Sequence, residues 1–308
     1  MARVAHTHAH DRGKADSRRL SIALGLILAL MAGEVTAGLL ADSLALLSDA
    51  AHMLTDAGAL ALALLAARLA RRPAGGEFTF GFRRAEILSA QINGATLVGL
   101  GVLIVIEGVR RLVDPPDVDG LPVLLVALAG VAVNLAATRV LSGSDRRSLN
   151  VEGAFQHVLT DLFAFIATAI AGAVVLATGF NRADGIAALV VAALMLRSGF
   201  GLLRDSGRVL LEAAPKGLDP QEVGRALASQ HHVVEVHDLH LWEVSSGFPT
   251  LSAHVLVRPE CDCQAHRREF AELLRERFGI EHSTLQVEHV GEEGVPLEIE
   301  PLHKGRDA

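Results

Sequence analysis

Six long, predominantly apolar segments constrain the fold of this chain more than any other feature. A helix needs about 20 apolar residues to cross the hydrocarbon core of a bilayer, and lipid leaves no other partner for its backbone polar groups. The overall composition, 51% hydrophobic and 20% charged, is typical of a membrane protein that carries a soluble part. We predict six membrane-spanning helices: Leu20–Ala41, Leu44–Leu69, Ala85–Leu112, Leu121–Leu141, Gly153–Thr178 and Asp184–Leu203.

Lysine and arginine lie mostly on one side of these predicted spans. They cluster before the first span, between the second and third, between the fourth and fifth, and after the sixth. Positive charge favours the cytoplasmic side of a membrane. The N-terminus is therefore expected in the cytoplasm, and six crossings return the C-terminus to the same side.

After Pro215 the apolar spans give way to a soluble pattern of helices and alternating strands. This order predicts a small cytoplasmic α+β domain with helices on one face of a sheet. The predicted elements are a helix at Asp219–Gln230, strands at Val233–Val244 and Thr250–Val257, a helix at Asp262–Phe278 and a strand at Thr284–Val290. The predicted domains are an N-terminal tail (1–19), a membrane domain (20–209), the cytoplasmic domain (210–290) and a disordered tail (291–308).

Two His-x-x-x-Asp pairs lie inside the predicted spans, His52 with Asp56 and His157 with Asp161. A spacing of four residues places both side chains of a pair on one helix face. Ionisable groups at membrane depth are costly, so they are rarely left without a partner or a task. Two imidazoles and two carboxylates supply the four ligands of a tetrahedral Zn²⁺ site. Two unrelated polar pairs are the alternative, which the repeat of the pattern disfavours.

Four further polar residues in the spans have candidate roles. Asp49 lies seven residues before Asp56, where it would serve either as an exit ligand for the ion or as a helix cap. Glu34 is a candidate for lining a proton or ion path. Asn93 and Asn134 are expected to form hydrogen bonds between helices.

The site pattern also bears on enzymatic function. The chain lacks the His-Glu-x-x-His motif of zinc hydrolases, and four protein ligands leave no open position for water. Transport is favoured over catalysis, with a permanent structural zinc ion as the alternative.

Four segments together resemble the cation diffusion facilitator family, in particular its bacterial zinc transporters. They are Ser48–Asp56, Phe78–Leu88, Val151–Asp161 and His237–Trp242. The resemblance implies a homodimer with six spans per protomer that exchanges cytoplasmic Zn²⁺ for external protons. It also implies a ferredoxin-like, metallochaperone-like cytoplasmic domain. Its transport-site positions match His52, Asp56, His157 and Asp161, and the histidine at the first of them resembles the zinc-selective members.

The resemblance has further implications for the cytoplasmic side. It places His237, His254 and His266 in a cytoplasmic metal site, and Glu288 is a further candidate ligand on the last strand. Gln286 stands where some relatives have histidine, which weakens or reshapes that site. Relatives also link the loop before span three to the end of span six by a charged pair, for which Arg84 and Glu212 are the match; lipid phosphates are the alternative partners of the arginine.

Two features outside the spans bear on metal binding, and the first of them departs from the family pattern. Phe78 and Phe82 stand where some relatives carry histidines, so that loop site is expected to be absent. Cys261 and Cys263 are too close for a disulfide framework, which indicates a reducing compartment. They are either soft-metal ligands or inert thiols.

The functional expectation is a secondary transporter in the inner (plasma) membrane that exports Zn²⁺ against protons. Zinc is its substrate and a candidate regulatory ligand, and no cofactor is expected. The alternatives are a membrane metal sensor or structural zinc protein without flux, and an exporter chiefly of Cd²⁺, Co²⁺, Fe²⁺ or Mn²⁺, because His and Asp suit several divalent ions. The net charge of −7 argues against a nucleic-acid partner.

Overall fold

The computed structural model describes residues 2–40, 44–115, 120–146 and 148–291. Within them, the description excludes the side chains at 2–14, 34, 37–40, 44–52, 55, 120, 122 and 123. The predicted disordered tail therefore lies outside the described residues, except for Gly291. The chain divides into two compact units, one built mainly from the residues up to Ala213 and one mainly from those after it.

The first unit contains six helices: α1 (Ala2–Leu40), α2 (Leu44–Ala70), α3 (Ala85–Val113), α4 (Gly120–Ser142), α5 (Leu149–Thr178) and α6 (Arg182–Leu210). In the described part of the chain, four of them are long and apolar enough to cross a membrane: α3, α4 from Leu124, α5 and α6. The first two predicted spans coincide with α1 and α2, many of whose side chains are not described. Their crossing of the membrane stays a prediction.

The first helix begins earlier than the predicted span. The polar segment 2–19, expected as a tail, continues the helix without a break as far as Leu40. Good helix formers such as alanine, lysine and arginine recur along this segment, and it contains no proline. Extending an existing helix is far easier than nucleating a new one, so polarity alone did not mark the helix boundary.

Close packing organises the helices of the first unit. α3 lies along α6, where a side chain on Gly199 would come within 2.9 Å of the Gly94 carbonyl oxygen. A cluster of buried apolar residues joins α1, α2, α4 and α5 and includes Leu20, Leu60 and Val158. Alanines in the same cluster allow α2 and α5 to approach each other. The two helices that carry the His-x-x-x-Asp pairs thus meet in the core.

The second unit is the α+β fold predicted from the sequence. Its elements are α7 (Pro220–Ala228), β1 (Val233–Glu243), β2 (Pro249–Val257), α8 (Cys263–Phe278) and β3 (His282–His289). β2 lies in the centre of the sheet, antiparallel to β1 and parallel to β3. Asp219 and Asp262 cap the two helices by accepting hydrogen bonds from backbone N–H groups of the first turn. Buried Val255, Phe270 and Leu274 form part of the core between the sheet and helices.

Candidate metal site in the membrane domain

Three ionisable side chains meet where α2 packs against α5. Nε2 of His157 lies 3.0 Å from Oδ1 of Asp56 and 3.9 Å from Oδ2 of Asp161. The ligand atoms of these three side chains all lie within 4.8 Å of one another. Among the described residues, they form the group of His, Cys, Asp or Glu side chains that is close enough to hold a metal ion. One imidazole and two carboxylates therefore face a common point between α2 and α5.

The cluster is buried, and part of its hydrogen-bonding capacity is unused. The side chain of His157 is only 1% exposed, against 21% for Asp56 and 15% for Asp161. Nδ1 of His157 and Oδ2 of Asp161 have no hydrogen-bond partner. A buried carboxylate oxygen without a partner costs free energy, so Oδ2 of Asp161 supports a ligand in the site, whereas the ring nitrogen of His157 that faces both carboxylates is Nε2. A divalent cation fits a donor set of one imidazole and two carboxylates.

The neighbouring polar residues of α5 have partners of their own. Thr160 donates to the Gln156 carbonyl oxygen at 2.7 Å, and the Gln156 amide donates to Glu152 at 2.7 Å. Glu152 also pairs with Arg146 in the preceding loop, at 2.7 Å from Nε to Oε2. This hydrogen-bonded pairing raises the pKa of the Arg146 guanidinium. These contacts leave His157 and Asp161 as the candidate ligands that α5 contributes to the cluster.

The predicted fourth ligand cannot be placed. His52 belongs to α2, four residues before Asp56, but its side chain lies outside the described residues. The same holds for the side chains of Asp49 and Glu34. The geometry of the site therefore rests on three residues, and the roles of the other three stay predictions.

Buried asparagines give a different picture from the expected one. Asn134, expected to bond between helices, donates to the Gly130 carbonyl oxygen of its own helix at 3.1 Å. Asn93 is buried in α3, and its side-chain nitrogen has no partner. The asparagine that does link two helices is Asn150, which donates to the Ala63 carbonyl oxygen at 2.7 Å. Sequence analysis missed Asn150, although its place seven positions, or about two helical turns, before His157 puts both residues on one helix face and was a usable signal.

The predicted charged pair is present within the chain. Nη2 of Arg84, just before α3, lies 3.2 Å from Oε1 of Glu212, just after α6. The side chains are 43% and 61% exposed, respectively, in the single chain. Glu212 has a φ of 56°, which is uncommon for a residue other than glycine and ends α6 abruptly. The contact is established, while its role at a dimer centre stays a prediction.

The four candidate ligands of the cytoplasmic domain are only partly brought together. His237 and His254 are direct cross-strand partners with ring centroids 5.3 Å apart. His266 instead pairs with Glu269 at 3.0 Å on α8, and Glu288 accepts a hydrogen bond from Gln286. In the sheet register, Gln286 lies beside His254. Of the four candidate ligands, the structure places His237 and His254 next to each other. A metal site in this domain stays a prediction.

Comparison with known proteins decides the family. A family model described as the cation efflux transmembrane domain matches residues 20–211, and one described as the cytoplasmic domain of cation efflux proteins matches residues 215–290. The chain belongs to the cation efflux, or cation diffusion facilitator, family. The resemblance noted from the sequence is confirmed. This protein is thus a multi-pass membrane protein with a cytoplasmic C-terminal domain, and a cation efflux transporter rather than an enzyme.

Characterised relatives cover almost the whole chain. Zinc transporter ZitB of Escherichia coli is 39% identical over 292 residues, which is 93% of each chain. The cadmium, cobalt and zinc/H(+)-K(+) antiporter of Bacillus subtilis is 37% identical over 289 residues, 91% of each chain. Among solved structures, the metal-bound C-terminal domain of the CzcD transporter from Cupriavidus metallidurans is 30% identical, covering 23% of this chain and 97% of its own, with a TM-score of 0.22.

Proposed function

We propose that this protein exports Zn²⁺ from the cytoplasm in exchange for protons. The ion would be held by Asp56, His157 and Asp161, with His52 as the fourth ligand. The observation that carries this proposal is the convergence of the three described ligands between α2 and α5, with Oδ2 of Asp161 buried and without a hydrogen-bond partner.

The ligand chemistry supports zinc as the principal substrate. Zn²⁺ prefers four nitrogen, sulfur or oxygen ligands in a tetrahedron, and two histidines with two aspartates supply them. Oxygen-rich sites of higher coordination number suit Ca²⁺ and Mg²⁺ instead. With all four positions taken by protein, no water is left on the metal to be activated, which is consistent with carriage of the ion.

Proton exchange follows from the same ligands. A metal binds neutral imidazole and ionised carboxylate, so its arrival displaces protons from the site. Protons that reach the site from outside would compete with the ion and favour its release. The same competition at the cytoplasmic side would be weaker, because fewer protons are present there when the exterior is acidic.

The names of the relatives support both parts of the proposal. One relative is named a zinc transporter, and another is named an antiporter of cadmium, cobalt and zinc with protons and potassium. The second name favours a wider substrate range, so Cd²⁺ and Co²⁺ are candidate alternative substrates. Histidine and aspartate would accept either ion.

Assembly and location are part of the proposal. The label of the family model matched by residues 215–290 refers to a dimer, which supports a homodimer joined through the cytoplasmic domain. We place it in the inner (plasma) membrane with both termini in the cytoplasm. Arg84 and Glu212 would hold the membrane helices together near the dimer centre. Zinc at His237, His254, His266 and Glu288 would regulate transport.

Metal tolerance of a host separates transport from sensing. In a zinc-sensitive bacterial host that lacks its own exporters, expression of the wild-type chain should raise the zinc concentration at which cells grow. His157→Ala should give no increase at equal membrane levels, whereas His240→Ala, at an exposed histidine of β1, should behave as wild type. A sensor or structural zinc protein would give no increase with any of the three, and that result would overturn the proposal.

A further inference from the structure

A second polar contact joins the two helices of the site, two turns away from the metal ligands. Asn150 lies in the first turn of α5 and is 0% exposed. Its Nδ2 donates to the carbonyl oxygen of Ala63 on α2 at 2.7 Å. Ala63 is also fully buried. The contact therefore lies in the core between α2 and α5, as does the contact between Asp56 and His157.

The spacing of the two contacts is equal on both helices. Ala63 follows Asp56 by seven residues, and Asn150 precedes His157 by seven residues. Seven residues are about two turns, or roughly 10 Å along a helix. In an antiparallel pair of helices, both contacts can form together only if the two residues are equally spaced on each helix but in opposite sequence order, as they are here. If α2 slid along α5, both contacts would break together.

We propose that Asn150 is a positioning residue that sets the register of α2 against α5 and so holds Asp56 at the correct distance from His157. This inference rests on the proposed transport site. Oδ1 of Asn150 has no partner, so the amide is held at this point by its donor group. Without that donor, α2 is free to shift relative to α5. The ligands then no longer meet in a single arrangement, and the ion is bound more weakly.

The chain supplies a matched control in Asn134. It is 1% exposed and lies in the neighbouring helix α4, and its amide likewise donates to a backbone carbonyl oxygen. That carbonyl belongs to Gly130 of the same helix, so the bond links nothing to α4. A substitution at Asn134 removes a buried amide without changing the register between α2 and α5.

The test compares Asn150→Leu with Asn134→Leu in the full-length protein reconstituted in proteoliposomes. Leucine is close to asparagine in size and removes the donor. Initial rates of Zn²⁺ and Cd²⁺ uptake give KM and the maximal rate per reconstituted transporter. Asn150→Leu should raise the KM for zinc about 3- to 15-fold, the range expected for loss of one interhelical hydrogen bond in a membrane. Its maximal rate should change less than the KM.

The metal selectivity should change with the KM. A site with altered ligand spacing suits the larger Cd²⁺ better than the tetrahedral Zn²⁺, so the Cd²⁺ to Zn²⁺ ratio of KM values should fall for Asn150→Leu. Asn150→Ser, which keeps a hydroxyl donor too short to reach Ala63, should reproduce both changes and serves if the leucine variant is poorly folded. Asn134→Leu should retain the wild-type KM and ratio.

The outcomes separate the two proposals. An unchanged KM for both Asn150 variants overturns the positioning role, as does an equal rise for Asn134→Leu or a loss of maximal rate at constant KM. His157→Ala, measured in parallel, tests the site itself. If it transports zinc normally, the proposed site is wrong and the role of Asn150 is overturned with it. If it is inactive while Asn150→Leu keeps the wild-type KM, only the positioning role is overturned.

Discussion

Two regions of this protein are rich in potential metal ligands, and they differ in what surrounds those ligands. In the membrane domain, His157 is 1% exposed, and two polar atoms of the cluster have no partner. In the cytoplasmic domain, the side chains of His237 and His254 are 43% and 38% exposed. Each of these two lies within 4.0 Å of a carboxylate oxygen of the same domain.

The difference shows that ligand type alone does not define a metal site. Exposed histidines and carboxylates are solvated, and their pairs contribute about 0–1 kcal/mol. They can therefore exist without a metal. The unpartnered carboxylate oxygen of Asp161 is costly inside a membrane domain, and a bound cation would offset that cost. The comparison therefore supports our proposal that the membrane cluster carries transport and that the cytoplasmic histidines at most regulate it.

The largest expected effect comes from breaking the membrane cluster. Asp161→Ala should abolish zinc transport, because loss of a ligand lowers metal affinity on the order of 10-fold or more and admits water to the site. The protein should still insert and dimerise, as size-exclusion chromatography in detergent would show. Asp238→Ala, which removes the carboxylate near His240 and His254, is the matched control and should transport zinc. Wild-type transport by Asp161→Ala would contradict the comparison.

A second substitution would change selectivity rather than activity. Replacing the imidazole at position 52 by a carboxylate makes the site harder and more permissive. His52→Asp should therefore raise Cd²⁺ transport relative to Zn²⁺. Parallel uptake assays with the two ions give the ratio directly. If the ratio equals that of the wild type, His52 is not a ligand.

The contact between Arg84 and Glu212 should have a smaller effect. Both side chains are more than 40% exposed in the single chain. A pair of this kind contributes up to about 1 kcal/mol, which corresponds to at most about a fivefold loss. Glu212→Ala should lower transport or dimer stability within that range and leave the metal affinity unchanged. Arg84→Glu with Glu212→Arg should recover part of the loss. A double variant no better than either single one would show that the contact contributes neither to transport nor to dimer stability.

The smallest effect is expected from the cytoplasmic histidines. His254→Ala, alone or with His237→Ala, should leave the maximal rate of zinc transport within about twofold of wild type, because exposed pairs contribute little to stability. A regulatory role would appear as a change in the zinc concentration needed for activity. Loss of transport comparable to that of Asp161→Ala would show that the two regions do not differ in the way described here.

Much of the fold was predictable from local sequence. The apolar segments identified the helices of the membrane domain, and Asp219 with Pro220 marked the start of α7. Alternation of apolar and polar residues predicted all three strands of the cytoplasmic domain, although β3 begins at His282 instead of the predicted Thr284. The start of α1 was missed, because a polar sequence does not by itself end a helix.

The repeat of the His-x-x-x-Asp pattern predicted a site shared by two helices, whereas local sequence determines side-chain placement only within each helix. The spacing of His157 and Asp161 places both on one face of α5. The approach of Asp56 to His157 depends on how α2 packs against α5, which no local pattern encodes. The same reason explains the error on Asn134 and the omission of Asn150: whether a buried amide bonds to its own helix or to a neighbour is decided by packing, not by residue type.

Zinc uptake into proteoliposomes under an imposed pH gradient tests the central claim most directly. The wild-type protein should move zinc into acidic vesicles, release protons from them as it does so, and bind zinc more weakly as the pH of the medium falls from about 8 to about 5.5. The reason is that a metal binds neutral imidazole, whose ordinary pKa is near 6.5. His157→Ala should show neither flux. Zinc uptake that is independent of the pH gradient, with an affinity that stays constant over this range, would contradict the account.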